Sequence, residues 1–170
     1  TRPDLLDDAS EVAFVVALLW ATTYDGFVAT PAWRRIAQPL IEAGVPAHVL
    51  YPVVLLAGFA LFLAVYRLAS RYARPTGETY LSATVLARRF APPLLAIAAG
   101  YHLAHYLGYF LSLAPVLLTV LGSPLSPPVT VPVFSLPGWF TGVPVASVLV
   151  GHLLAIWIAH ATAFELFPGR

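Results

Sequence analysis

The sequence predicts an all-α protein, an integral membrane four-helix bundle with a short interfacial helix and a proline-rich extramembrane loop. Two observations predict this fold. The 170 residues are 59% hydrophobic and only 10% charged, whereas soluble domains average about 25% charged residues. The chain also contains four apolar runs of membrane-spanning length, near residues 11–29, 50–70, 91–121 and 143–167. We therefore expect a single transmembrane domain over residues 1–170, with the lipid bilayer as its main partner.

The composition also excludes several classes of function. The chain contains no cysteine, which excludes disulfides, thiolate nucleophiles and cysteine-held zinc or iron–sulfur sites. Its net charge of +1 gives no reason to expect a nucleic-acid partner. Because the sequence begins at Thr1 without an initiator methionine, we expect it to be part of a longer protein.

The first apolar run follows several acidic residues and is too long for a signal peptide, so it is interpreted as a membrane span. It ends near Asp25 and Gly26. From residue 30 to residue 48, prolines and a glycine interrupt the pattern, while Trp33 and Ile36 keep helical spacing beside two arginines. This stretch predicts a short helix lying in the membrane interface.

The remaining spans are separated by two different connections. Residues 78–89 have the pattern of a short amphipathic helix, and the span over 91–121 follows directly. At about 1.5 Å per residue, that span exceeds a hydrocarbon core of about 30 Å, so it must tilt, kink at Pro115 or leave one end exposed. Residues 122–144 are rich in proline and predict the extramembrane loop.

Arginine residues predict the orientation of the spans. The connection between the second and third spans is flanked by five arginines, whereas the connection between the first and second has two. Because cytoplasmic loops carry an excess of basic residues, we expect an integral plasma membrane protein with both termini cytoplasmic. The five arginines are Arg67, Arg71, Arg74, Arg88 and Arg89.

Two histidines and three tyrosines interrupt the third span, in the segment YHLAHYLGYF from Tyr101 to Phe110. Ionisable side chains at membrane depth are costly and usually mark a functional site inside a bundle. Helical rise places Asp25 and His105 about 21 Å from the cytoplasmic edge, and His102 and His152 about 16–17 Å from it. His160 lies about 5 Å from the same edge, and thus at a different depth.

Imidazole and carboxylate groups in one layer can hold a divalent metal, with zinc favoured over iron or manganese. We therefore predict Asp25, His102, His105 and His152 as metal ligands, with Asp25 and His105 also catalytic. A metal-bound water would then serve as the nucleophile of a hydrolase acting on a small-molecule substrate. The residues expected to support this site, or to form a separate one, are His160, Tyr24, Tyr106 and Tyr109.

Three alternatives use the same residues. His102 or His105 together with His152 has the composition of a bis-histidine haem site. Asp25 and the histidines are also suited to binding an ion or relaying protons in a transporting component. Finally, the histidines and tyrosines can simply join helices through hydrogen bonds, without any chemistry.

Three segments resemble a known family. They are TYDGFVATPAW (residues 23–33), AGYHLAHYLGYFL (residues 99–111) and VGHLLAIWIAHATAFELF (residues 150–167). In content and order they are similar to the C-terminal part of bacterial and archaeal polytopic membrane proteins called fenitrothion hydrolases. That resemblance implies cleavage of an organophosphate ester.

The resemblance also points to particular residues of this chain. It assigns Asp25, His105, His152 and His160 to similar motifs in that family, and it does not assign His102. The proline-rich loop over residues 122–144 differs from the longer and more polar loop of that family.

Overall fold

The computed structural model describes residues 6, 8–77, 79–126, 129–130 and 133–167, and its regular structure there is entirely helical. A short 3₁₀ turn, Gly138–Thr141, comes directly before the last helix. The α-helices are α1 (Ala9–Val28), α2 (Pro31–Glu42), α3 (Ala47–Thr76), α4 (Ala83–Phe90), α5 (Pro92–Gly122) and α6 (Gly142–Leu166).

Helix ends occur where the sequence provides capping groups. The Asp8 carboxylate accepts from the first amides of α1, and the Glu11 carboxylate accepts from the Asp8 amide at 3.2 Å, which together form a capping box. The Thr30 hydroxyl caps α2. This helix ends before Gly44, whose φ of 98° favours glycine. Ser82 caps α4 through the amide of Val85, at 3.3 Å.

The four predicted apolar runs coincide with α1, α3, α5 and α6, and all four are long and apolar enough to cross a membrane. Little of their apolar surface is buried within the chain: in α3, for example, Leu56 and Leu61 are more than half exposed. Soluble proteins rarely leave apolar faces of this extent uncovered. The all-helical architecture is therefore confirmed, and its surface is compatible with a lipid environment.

The four long helices pack in the order α3, α1, α5, α6. Helix α1 contacts α3 on one side and α5 on the other, and α5 contacts α6. Along its described length, α3 does not pack extensively against α5 or α6. The arrangement is therefore an open row, in which α5 separates α6 from α1.

Helices α5 and α6 approach closely because small residues face each other. A Cβ atom added to Gly100 would lie 2.6 Å from the Ser147 carbonyl oxygen, and one added to Gly151 would lie 2.7 Å from the Ala96 carbonyl oxygen. Each helix thus has a small residue four positions before its glycine, Ala96 on α5 and Ser147 on α6. This spacing allows the backbones of membrane helices to come close.

Aromatic side chains join α1 to α3. The Trp20 ring lies against Gly58, and its Nε1–H donates to the Leu55 carbonyl at 2.7 Å. One turn further on, the Tyr24 hydroxyl donates to the Tyr51 carbonyl at 2.8 Å. The polar atoms of both rings are therefore satisfied by the α3 backbone.

Helix α2 lies against the same end of α1 and α3. Trp33 and Ala37 are buried with Leu50 in a small core cluster, whereas Ile36 and Leu40 remain exposed. The predicted short helix is therefore present, and its exposed apolar residues suit an interfacial position, which stays a prediction.

Helix α4 fills the opposite end of the row and contacts α1, α3, α5 and α6. Leu86 and Ala91 are fully buried there. The Tyr66 hydroxyl on α3 donates to the Ala87 carbonyl at 2.6 Å. The amphipathic pattern predicted this helix, although it begins at Ala83, later than expected, and is a packed element at the centre of this end.

The described part of the proline-rich segment folds back along α5. The Phe134 amide donates to the Ser112 carbonyl at 2.9 Å, and Leu136 and Phe140 lie beside Gly108. This segment therefore forms one wall over the second half of α5. Its predicted location outside the membrane stays a prediction.

Candidate functional site

Asp25 of α1 and His105 of α5 form a direct contact between two long apolar helices. The His105 Nε2 atom lies 2.7 Å from the Asp25 Oδ2 atom. The Tyr106 hydroxyl donates to the same carboxylate oxygen at 3.3 Å. Their sequence positions predicted a shared depth for Asp25 and His105, and the contact agrees with that expectation.

A second pair of side chains joins α1 and α5 three residues before the first pair on each helix. Thr22, three residues before Asp25, places its Oγ1 atom 3.2 Å from Nδ1 of His102, three residues before His105. The two helices therefore contribute matched residues at equal spacing. Thr22 is buried, with 3% of its surface exposed, whereas the side chains of His105 and Asp25 are 35% and 46% exposed. The pair containing Asp25 is the accessible one.

Three of the histidines direct Nδ1 toward a backbone carbonyl of their own helix. The Nδ1 atom of His102 lies 2.8 Å from the carbonyl of Ala98, and that of His152 lies 2.8 Å from the carbonyl of Val148. His160 makes the same contact one turn back along its helix, at 3.2 Å. A carbonyl only accepts hydrogen bonds, so these contacts favour the tautomer with its proton on Nδ1, in which the neutral ring has its lone pair on Nε2.

His105 has the opposite arrangement. Its Nε2 atom faces an acceptor, the Asp25 carboxylate, so a neutral His105 carries its proton on Nε2. Its Nδ1 atom then retains the lone pair and has no hydrogen-bond partner within the part of the chain that the structure describes. A carboxylate that holds one ring nitrogen sets the tautomer and leaves the other nitrogen as a base.

The other predicted site residues lie in different surroundings. The His152 ring contacts Tyr101, at a centroid distance of 5.8 Å, on the α6 side of α5. The Tyr109 ring lies 6.5 Å from that of His105. Tyr24 is turned toward α3, where its hydroxyl is bound. Tyr109 therefore lies beside the Asp25–His105 pair, whereas His152 and Tyr24 lie away from it.

His160 lies at the far end of α6, in a pocket of about 380 Å³. Phe90, Phe164 and Phe167 line this pocket together with the end of α3. Its predicted depth in a membrane stays a prediction. A role in a separate site stays a prediction.

The predicted metal ligands are only partly brought together. Of these four described residues, only Asp25 and His105 touch, and their contacting atoms, Oδ2 and Nε2, face each other at 2.7 Å in a hydrogen bond. Among the described residues, no three histidine, aspartate or glutamate side chains are grouped to hold one ion. Catalytic zinc sites use three protein ligands, so this arrangement does not itself provide a complete set, and the four-ligand site stays a prediction.

A pocket of about 400 Å³ lies beside the Asp25–His105 pair. His105, Tyr109 and Ser112 line it from α5, and Leu136 and Phe140 line it from the folded-back segment. It combines apolar walls with a histidine and hydroxyl groups. This composition is typical of a site for a small molecule.

Sequence reasoning missed two contributors. Thr22 lacks an ionisable group, but it lies three residues before Asp25 and therefore on the same side of α1. The sequence did not indicate that the segment around Leu136 lies against α5, because its position depends on a backbone hydrogen bond to that helix. In the described residues, the site thus extends from α1 across α5 to the wall that this segment forms.

Comparisons of the chain with protein-family models, with curated proteins and with solved structures find no match. The resemblance to fenitrothion hydrolases therefore rests on the three sequence segments alone, and the geometry of the Asp25–His105 pair is the basis for any functional conclusion.

Proposed function

We propose that this chain is a multi-pass membrane protein in which the Asp25–His105 pair acts as an acid–base catalyst on a small molecule. The observation that carries the proposal is the 2.7 Å contact between His105 Nε2 and Asp25 Oδ2 between two apolar helices. An ionisable pair in such surroundings costs free energy of insertion into the membrane. Such pairs therefore usually mark a functional site. The adjacent pocket provides room for a substrate.

Each residue has a specific role in this proposal. Asp25 holds the His105 ring with Nδ1 unprotonated, so that Nδ1 accepts a proton from water or from a hydroxyl group of the substrate. The Asp25 carboxylate then stabilises the imidazolium that forms. Tyr106 donates to the same carboxylate oxygen and keeps it oriented toward His105.

Hydrolysis is the reaction class that we favour. A water molecule loses a proton to His105 as its oxygen attacks the central atom of an ester; the bond to the leaving oxygen then breaks, and the leaving alcohol takes the proton back from the imidazolium. The resemblance to fenitrothion hydrolases favours an organophosphate ester as the substrate. The apolar walls of the pocket suit a neutral ester that partitions into the membrane.

Purified protein in detergent micelles, assayed with a chromogenic 4-nitrophenyl phosphotriester, tests this function. We expect His105→Gln to lower turnover by about 10² to 10⁴-fold, the usual contribution of general acid–base catalysis. His48→Gln is the matched control, because His48 is exposed at the start of α3. Turnover in His105→Gln equal to that of the unaltered protein would contradict the proposal.

The same variants separate catalysis from ion or proton transport. In vesicles containing a pH-sensitive dye, proton flux that is lost in His105→Gln, without any ester turnover, would identify a transporting component. The catalytic proposal instead requires ester turnover without flux.

A metal-dependent hydrolase or a haem-binding redox component is the second candidate, and one observation favours it. His102 and His152 hold their Nδ1 protons on backbone carbonyls, which is the arrangement that orients histidines toward a metal through Nε2. Elemental analysis of the purified protein for stoichiometric zinc tests the metal-dependent hydrolase. An absorption spectrum that does or does not contain a Soret band tests the haem-binding component.

We also propose that the arginine-rich end of the helices faces the cytoplasm of a plasma membrane. Because the chain contains no cysteine, single variants can be labelled with a membrane-impermeant thiol reagent without background. Ser82→Cys, before α4, and Ser123→Cys, after α5, lie at opposite ends of the row. In intact cells we expect labelling only of Ser123→Cys, and the reverse pattern would contradict this orientation.

A further inference from the structure

A basic pocket lies at the arginine-rich end of the protein, far from the Asp25–His105 pair. Its volume is about 280 Å³, and it is enclosed by the start of α1, the end of α3 and the start of α4. Three arginines line it, together with the hydroxyl-bearing residues Ser70 and Thr84. The arginines are Arg67, Arg71 and Arg88.

The fold brings these arginines together from two helices. Arg67 and Arg71 are four residues apart on α3 and therefore lie on one face. The Tyr66 hydroxyl donates to the Ala87 carbonyl at 2.6 Å and so holds α4 against α3. Arg88 follows directly in the sequence, which places its positive charge in the same pocket.

Helix α3 has no acidic side chain that could neutralise the positive charge of the pocket. Arg67 and Arg71 are exposed and have no carboxylate partner within the described ranges. Arg88 lies close enough to Asp8 at the start of α1 to lower the pKa of that carboxyl, so the uncompensated positive charge of the pocket is that of Arg67 and Arg71. Like charges in one pocket repel each other, and an anion placed among them removes that repulsion.

We propose that this pocket binds the phosphate group of an anionic phospholipid. Guanidinium groups bind phosphate oxygens through paired hydrogen bonds, and basic pockets between membrane helices on the cytoplasmic side bind anionic headgroups. Leu61, Val65 and Leu68 are exposed and follow one face of α3 away from the arginines. They provide an apolar path for the acyl chains, which favours a lipid over free phosphate.

Titration of lipid into the purified protein in dodecyl maltoside, followed by native mass spectrometry, tests the proposal. We expect phosphatidylglycerol to bind at least tenfold more tightly than phosphatidylcholine. Each arginine near an anionic surface contributes roughly fivefold to affinity, so the double variant Arg67→Gln, Arg71→Gln should bind phosphatidylglycerol roughly thirtyfold more weakly. Arg34→Gln, Arg35→Gln on α2 is the matched control and should bind as the unaltered protein does.

Three results would overturn the proposal. They are equal affinity for the two lipids, unchanged phosphatidylglycerol binding in the α3 double variant, and full displacement of bound lipid by millimolar inorganic phosphate, which would identify a soluble anion as the ligand. The comparison of the two lipids uses only the unaltered protein, so it stands even if a variant fails to fold.

Discussion

Substitution of Gly151 by alanine tests whether the close approach of α5 and α6 holds the row together. A Cβ atom added at this position would lie 2.7 Å from the Ala96 carbonyl oxygen and 3.1 Å from the Gly100 Cα atom. Both are backbone atoms, which cannot rotate away as a side chain can. Carbon and oxygen atoms normally approach to about 3.3 Å, so the two helices must separate locally by about 0.6 Å.

The expected magnitude follows from two opposing terms. Overpacking of this kind costs about 1–3 kcal/mol, whereas replacement of a helical glycine by alanine gains up to about 1 kcal/mol in helix propensity. Gly26 on α1 is the matched control, because nothing lies within 4 Å of a Cβ atom added there. The difference in unfolding free energy between Gly26→Ala and Gly151→Ala therefore isolates the steric cost, at about 1–3 kcal/mol.

Unfolding by sodium dodecyl sulfate in mixed micelles, followed by circular dichroism, provides the assay. We expect Gly26→Ala to unfold at the same or a higher detergent fraction than the unaltered protein, and Gly151→Ala to unfold at a lower one. If the two alanine variants shift by the same amount in the same direction, the contact between α5 and α6 does not have the stabilising role described above.

Three further predictions concern polar contacts of α1. Trp20→Phe removes the indole N–H that donates to an α3 carbonyl at 2.7 Å, so unfolding in the same detergent assay should show a loss of about 0.5–1.5 kcal/mol. Thr22→Val keeps the shape of a buried side chain but removes the oxygen that lies 3.2 Å from His102 Nδ1. The ¹⁵N resonance of His102 Nδ1 should therefore shift. An unchanged resonance would contradict the contact. The pKa of Asp8 is held below its ordinary value of 3.8, first by the hydrogen bond from the serine hydroxyl two residues on and then by backbone amides. Its capping contribution to stability is therefore complete above pH 3.8 and is lost as the pH falls through the lower folded-state pKa. The chemical shifts of the amide protons in the first turn of α1 should follow this titration, with a midpoint below pH 3.8. A midpoint above that value would contradict the prediction.

The four long apolar helices were predictable because their composition is the one that a bilayer requires of a spanning helix. A helix in hydrocarbon needs about 20 apolar residues, so the four runs could be located to within a few residues, apart from the longer extension of α3 at its C-terminal end. The packing faces were not predictable, since the apolar residues of α5 and α6 are spread around each helix and do not form one stripe. Their contact is set by Gly100 and Gly151, and a single glycine in an apolar helix does not reveal which helix it will meet.

The common level of Asp25 and His105 along the helices was predictable, but the directions of the other side chains were not. Helical rise placed Asp25 and His105 at one level, and the structure joins them. His102 is rotated by about 60° from His105 on the same helix, and it meets Thr22 instead of the carboxylate. The side chain of His152 contacts Tyr101 on the other side of α5, so it does not meet the carboxylate.

Helix α4 joins the ends of the four long helices. It contacts all four of them at one end of the row, and only Ala91, which is fully buried, connects it to α5. Because one short helix holds these ends, loss of its packing, for example in Leu86→Ala, is expected to loosen all four ends at once. The opposite end does not depend on a single element, because α2 packs against α1 there and the segment before α6 lies along α5.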